Sequence, residues 1–251
     1  EYATDYARFD RIGANGAVTP VRKYDMTELE LKFRYGKNEK FYQTHDERIP
    51  ITYDALIFNL EHTMSKKGFL GSSYDYHRTE LGIQKRLWFS AFGFVDVIGK
   101  AGKVWNKVPY PLLILPNANL TYTIQPEAYT NMNAIEFIND EYISWDVTYY
   151  MNGLILNRLP LIKKLKWREV LCFRGLWGHL TDKNNPMKTG EGLYAFPVGS
   201  GVMGRAPYME ASVGIENIFK FMRLDYVWRL NYRDHPGIQT KGVRFMMRMS
   251  F

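Results

Sequence analysis

The side chains able to carry chemistry are few, and most stand alone. The five histidines are His45, His62, His77, His179 and His235, and none sits at a metal-ligand spacing from another histidine or a carboxylate cluster. Cys172 is the single cysteine, which excludes an intramolecular disulfide framework and a cysteine-based zinc site. No glycine-rich phosphate loop and no nucleophile elbow occurs in the sequence. Two weak arrangements remain. Ser144 and His179 would act as nucleophile and base only if the fold brought them together, as a barrel lipase requires. Asp182-Lys183-Asn184-Asn185 offers oxygen ligands for calcium, but a solvated turn is the better reading of the string. The expectation is therefore a non-enzymatic protein with no catalytic residue, no metal and no cofactor.

A second kind of chemistry recurs, with arginine beside an acid at alternating positions. From Met222 to Arg233 one face reads Met222, Leu224, Tyr226, Trp228, Leu230, Tyr232, and the other Arg223, Asp225, Val227, Arg229, Asn231, Arg233. Val243, Phe245, Met247, Met249 and Phe251 oppose Arg244, Met246 and Arg248. Leu29, Leu31, Phe33 and Tyr35 oppose Glu28, Glu30, Lys32 and Arg34, and Ile143, Trp145, Val147 and Tyr149 oppose Ser144, Asp146, Thr148 and Tyr150. Period-2 alternation of this kind means strands with one apolar and one polar face. Charges of both signs on one face fit a hydrated barrel lumen, where they pair across strands. The candidate lumen-facing residues are Arg174, Arg223, Asp225, Arg229, Arg244 and Arg248.

The elements that must position these residues are read from the same alternation. Segments around 56–61, 78–84, 89–97 and 208–216 add weaker strands, and 167–178 is extended without a clear apolar face, which makes nine candidates in all. Tyr2, Thr4 and Tyr6 suggest a weak tenth. Several run to about ten residues, the length of a tilted membrane strand rather than a globular one. Short connections are expected at Lys85-Arg86, at Glu216 to Lys220 and over 152–166, and long loops over 63–73, 99–140, 181–206 and 233–241. That asymmetry is the habit of an outer-membrane barrel.

Composition agrees with this. The chain of 251 residues carries 18 Tyr, 15 Phe and 6 Trp, an aromatic load suited to a lipid face and its girdles. The longest apolar run, Tyr110 to Pro116, falls far short of the roughly 18 residues of a spanning helix. The net charge of +7 is not concentrated enough to suggest nucleic acid. The opening Glu1-Tyr2-Ala3-Thr4-Asp5 reads as the start of a mature or truncated segment. Phe251, in register with Phe245, makes an aromatic terminus.

Several strings resemble a known family. They are Glu39-Lys40-Phe41-Tyr42-Gln43-Thr44, Arg78-Thr79-Glu80-Leu81, Leu165-Lys166-Trp167-Arg168-Glu169-Val170, Arg174-Gly175-Leu176-Trp177-Gly178 and Asp225-Tyr226-Val227-Trp228-Arg229-Leu230. Together they resemble, over roughly residues 26–251, the C-terminal barrel of a Bacteroidota outer-membrane family of unassigned function, in which a carboxypeptidase-regulatory-like domain precedes a surface-antigen-type barrel. That barrel is similar to the sixteen-stranded barrels of the outer-membrane assembly and two-partner secretion superfamily. The resemblance implies an all-β, transmembrane antiparallel barrel, with residues 1–251 as its C-terminal part. It implies that the 99–140 loop folds into the lumen, and that Phe251 and Phe245 form the terminal signal read by the barrel assembly machinery. That superfamily's loop bears an Arg-Gly tip; here the only Arg-Gly followed by a bulky apolar residue is Arg174-Gly175-Leu176, on a strand.

The expected role is transport or envelope biogenesis in the cell outer membrane. The expected partners are outer-membrane lipid and lipopolysaccharide, the assembly machinery during insertion, and polypeptide cargo. A passive channel or membrane anchor for a periplasmic domain is the alternative, and a barrel lipase a weak one.

Overall fold

The structure, a computed structural model, describes residues 9–247 except 14, 15, 22, 190, 191 and 236. Thirteen strands follow in chain order: β1 (Phe9–Ile12), β2 (Val18–Val21), β3 (Leu29–Lys37), β4 (Phe41–Gln43), β5 (Arg48–Pro50), β6 (Leu56–Ser65), β7 (Tyr76–Trp88), β8 (Phe94–Val104), β9 (Glu141–Tyr150), β10 (Arg168–His179), β11 (Tyr208–Ile218), β12 (Met222–Arg229) and β13 (Lys241–Met247). Among the described residues there is no α-helix, only single turns of 3₁₀ helix.

Nine of the strands form one antiparallel meander in the order β13-β12-β11-β10-β9-β8-β7-β6-β3, while β1–β2 and β4–β5 are separate hairpins. Register aligns the apolar rows across this sheet. One row runs Phe33, Leu60, Leu81, Ala101, Ile143, Trp177, and another Val95, Tyr149, Leu171, Val213, Tyr226, Val243. This face is open: Phe33 is 59% exposed and Val213 48%. A row of large apolar side chains left in contact with solvent on every strand needs an apolar environment.

The opposite face is covered over β8 to β13 and open on β3. Val104, Tyr142, Leu176 and Tyr208 from the sheet join Val108, Leu113, Ile114, Tyr129, Met132, Phe137 and Ile138 from the long connection after β8 in one buried cluster. Leu180 and Met203, from the connection after β10, complete it. The apolar core thus lies on the side where the strands themselves are polar, because loops supply most of it.

The structure departs from the sequence expectations at several points. Lys85 and Arg86 lie inside β7, not in a turn, and Arg86 bonds Asp96 of β8 through Nε at 2.6 Å. The turn is Phe89–Gly93, where Ser90 (φ 53°) and Gly93 (φ 94°) take left-handed conformations. At Gly93 a Cβ would collide with the Tyr150 carbonyl, so glycine is required there. Consequently β8 starts later than expected and continues to Val104, and the 99–140 loop contracts to 105–140. Strand β12 stops at Arg229, and Tyr232 (φ 53°) leaves the apolar row to pack on Phe137 at 5.1 Å on the covered side. The ambiguous strand β10 opens Leu171 and Phe173 and buries Val170, Cys172 and Leu176. The suggested tenth strand at residues 2–6 lies outside the described residues.

Candidate functional site

The 105–140 loop is the longest irregular segment of the described chain; it is docked along both limbs, while its tip around 120–127 is largely exposed. Pro109, Pro111 and Pro116 restrict its backbone. A 3₁₀ turn at Tyr110–Leu112 and a bridge between Ile114 and Asn139 fold it back on itself. Leu113 and Ile114, in the middle of the apolar run Tyr110 to Pro116, are each 5% exposed.

Four consecutive strands each present a charged side chain to the far limb of this loop. From β10, Arg174 donates to the Ala128 carbonyl and reaches Asp146 of β9 at 3.1 Å. The Tyr129 hydroxyl returns a bond of 2.9 Å to the Gly175 carbonyl. From β11, buried Glu210 accepts from the Thr130 and Asn131 amides at 2.9 and 2.6 Å and from the Tyr208 hydroxyl at 2.7 Å. From β12, Arg229 forks onto Glu136 at 2.5 and 2.9 Å and donates to the Asn131 carbonyl at 3.0 Å. From β13, Arg244 donates to the Thr130 carbonyl at 2.9 Å. Lys100 of β8 pairs with Glu127.

These are charge-assisted bonds, several from a fork-shaped guanidinium, in a water-poor setting. Burial alone would raise the Glu136 carboxyl. Arg229, the Asn133 amide and His235 (2.8 Å) outweigh it and hold Glu136 below the ordinary carboxylate range. Burial pushes the Tyr129 phenol up, so it stays a neutral donor. Between the loop and strands β7–β10 a cavity of about 140 Å³ remains, lined by Arg78, Lys100, Glu127, Tyr129, Asp146 and Arg174 among others. The arrangement is a latch: it fixes a loop against a sheet.

Comparison with known proteins places the chain. A family model described as "Family of unknown function (DUF5686) C-terminal domain" matches residues 11–185. The chain belongs to this family. No curated protein matches it. Among solved structures, BamA from Haemophilus ducreyi lacking POTRA domains 1-3 is similar, with a TM-score of 0.50 and 10% identity over 88% of this chain and 42% of that one. At that identity the likeness speaks for the fold alone, and the chain spans under half the length of the BamA structure.

The residues singled out from sequence, of which only Arg174 lies within the span matched by the family model, divide into groups. Arg174, Arg229 and Arg244 lie on the covered face and hold the loop. Arg223 and Asp225 lie on that face but bind each other at 2.6 Å, and Arg223 also meets the Tyr150 hydroxyl at 3.4 Å. Arg248 and Phe251 lie outside the described residues. Phe245 is on the open face of β13, and its backbone bonds Tyr122 and Ile124 of the loop at 3.0 and 2.7 Å.

Glu136, Glu210, Asp146 and Tyr129 were not foreseen as site residues. Asp146 and Glu210 carried the signal of being acids on polar strand faces. Glu136 and Tyr129 sit in a loop without periodicity and carried none. Ser144 and His179 are on opposite faces: Ser144 stands opposite Leu176 on the covered side, and His179 approaches Glu141 at 3.9 Å on the other. In the Asp182–Asn185 string, Asn184 is buried and accepts from the Val108 amide at 3.0 Å, while Asp182 pairs with Lys188 at 2.7 Å. Among the described residues no group of three or more His, Cys, Asp or Glu is placed to hold a metal.

Proposed function

We propose that this domain is the C-terminal part of a sixteen-stranded barrel in the outer membrane of a Gram-negative bacterium of the Bacteroidota. In this reading it belongs to the assembly and secretion type of barrel and acts without catalysis in transport or envelope biogenesis, with the 105–140 loop as a lumen plug. The observation that carries this reading is the two-faced sheet: an open face with apolar rows across nine strands, broken at Lys85 of β7 and at His62 of β6, backed by a charged face to which the loop is latched.

The dimensions support it. On β10 the open face is apolar or small between Glu169 and His179, through Leu171, Phe173, Gly175 and Trp177. Ten residues give about 33 Å of strand, or a band of about 25 Å at the usual tilt of a membrane barrel. Aromatic side chains flank the band, with Trp105, Trp177 and Trp228 at the long-loop end and Phe89, Phe92 and Phe219 at the short-turn end. On this reading the long loops face the cell exterior and the turn at 219–221 faces the periplasm. Assembly machinery would recognise the terminal strand, and a polypeptide would be the cargo.

The direct test is topology on whole cells. A tag inserted at Gly237 should be reached by antibody, and one at Asn217 should not. Exposure at Asn217 alone would invert the topology and overturn the reading. Planar bilayers distinguish a plugged barrel from a passive channel: a large, steady conductance by the wild-type protein would favour the channel.

A further inference from the structure

The open face is not uniformly bulky. Along β8 its side chains are small: Gly99 and Ala101 lie between Ile83 and Leu81 of β7 on one side and Trp145 and Ile143 of β9 on the other. The Trp145 ring leans away, over Gly175 of β10. Ile83 leans over Gly99, so a trough, with a volume of about 280 Å³, centres on Ala101 between Leu81 and Ile143. Its walls are two inter-strand spacings apart, about 9.6 Å, which leaves room for a single hydrocarbon chain. Trp105 and Trp177 border it at the long-loop end.

That end carries positive charge. Lys103 lies 4.9 Å above the Trp105 ring and pairs with Glu141 at 2.5 Å. Lys183 donates to the Trp105 carbonyl at 2.8 Å and has no carboxylate partner among the described residues. One carboxylate against two ammonium groups leaves a cation at the head of an apolar trough. Trp105 is fixed there by its Nε1 bond of 2.9 Å to Thr79.

We propose that this trough binds one acyl chain of a lipopolysaccharide molecule, with a lipid A phosphate at Lys183 and Lys103. The proposal rests on the outer-membrane reading, which puts the long-loop end at the outer leaflet. Charge complementarity selects the occupant. An anionic headgroup meets the lysines while its hydrocarbon lies on Ala101 between Leu81 and Ile143, and a second protein copy would have to bring an acid and a thin apolar ridge together. Lysines near a membrane surface add roughly fivefold each to binding of anionic lipid.

The test uses the full-length protein extracted from the outer-membrane fraction into detergent. It is titrated separately with diphosphoryl lipid A and with phosphatidylglycerol, and occupancy is read by native mass spectrometry. Ala101→Leu fills the trough with an apolar side chain that the lipid face tolerates, and Lys183→Glu reverses the charge at its head. Ala211→Leu, on the open face of β11, is the control. The expected result is that wild type and Ala211→Leu retain lipid A in preference to phosphatidylglycerol. Ala101→Leu should lower retention at least about tenfold, from the lost burial of several methylenes, and Lys183→Glu at least about fivefold. Equal retention by wild type and both variants overturns the proposal, as does phosphatidylglycerol held as tightly as lipid A. Absence of wild type from the outer-membrane fraction is a separate outcome, which overturns the membrane reading and this site with it.

Discussion

The two ends of the sheet use the same alternation and reach different results. On β3 and β6, Lys32 lies between Glu30 and Glu61 at 3.0 and 3.4 Å, but its side chain is 62% exposed and those of the two acids 43% and 38%. On β12, Arg229 meets Glu136 with the two side chains 0% and 1% exposed. Both lysine and arginine occupy the polar face of their strands. What separates them is the 105–140 loop, which covers the face from β8 to β13 and stops short of β3. Alternation decides the side on which a charge stands, and the docked loop decides how deeply it is buried. Depth in turn sets the energy, because an exposed pair contributes little while a buried charge that loses its partner costs several kcal/mol.

The sharpest way to break this comparison is to remove one partner at the buried end. Glu136→Gln keeps the shape but leaves Arg229 buried with a neutral partner, and should destabilise the domain by about 3–5 kcal/mol. The midpoint of heat-induced unfolding on semi-native gels reads this, and protease cleavage near Leu113 on intact cells should appear in parallel. The double variant Arg229→Met with Glu136→Leu should recover most of the loss, since the pair itself is worth less than its disruption. If Glu136→Gln behaves as wild type, the latch does not hold the loop.

The next largest effect belongs to the open face. Leu224→Arg places a charge among Tyr226, Phe245 and Ile215, and near the middle of a membrane should cost about 2–4 kcal/mol. Leu224→Phe should be neutral. Strict alternation suggests Asp225→Arg as the tolerated counterpart, but the structure rejects that choice. Asp225 is 4% exposed, is locked onto Arg223, and fills the space that a side chain at Gly214 would need. Equal amounts of Leu224→Arg and Leu224→Phe in the membrane fraction would mean the open face does not meet lipid.

The sheet was legible in the sequence because its period is written in it: eight alternating segments, with the extended one at 167–178, became nine neighbouring strands. Ends were legible only where the period changed abruptly. Lys85-Arg86 resembled a turn because two cations interrupt the row, yet Arg86 simply faces inward onto Asp96. The latch was half legible. Arg174, Arg229 and Arg244 stood out as charges on strands, whereas Glu136 and Tyr129 are placed by the tertiary fold of an aperiodic loop. No local pattern announces a residue whose partner is 93 positions away, as Arg229 is from Glu136.

Acid should loosen the buried end before the exposed one. Because Glu136 is held below the ordinary carboxylate range, its contribution is fully present above the unfolded value of about 4.3 and fades as pH falls through its lower folded value. Hydrogen exchange at the Thr130 and Asn131 amides, corrected for the intrinsic rate, should therefore stay flat from neutral pH down to about pH 5. It should rise in more acidic solution. Glu210 accepts from those same amides, so the difference between wild type and Glu136→Gln isolates the Glu136 share. If the two profiles coincide, Glu136 does not carry the acid response.

The smallest effect is expected at the exposed end, and it sharpens the contrast most. Lys32→Ala removes an ion pair that water already screens, and the strand keeps its register through Phe33 opposite Leu60 and Tyr35 opposite Phe58. The loss should stay within about 1 kcal/mol and should shrink further in high salt. The same gel midpoint measures it, in the full-length protein. A loss as large as that of Glu136→Gln would mean that the polar face of β3 is packed against further chain there. In that case both ends of the sheet would be covered alike, and burial by the 105–140 loop would no longer be what distinguishes them.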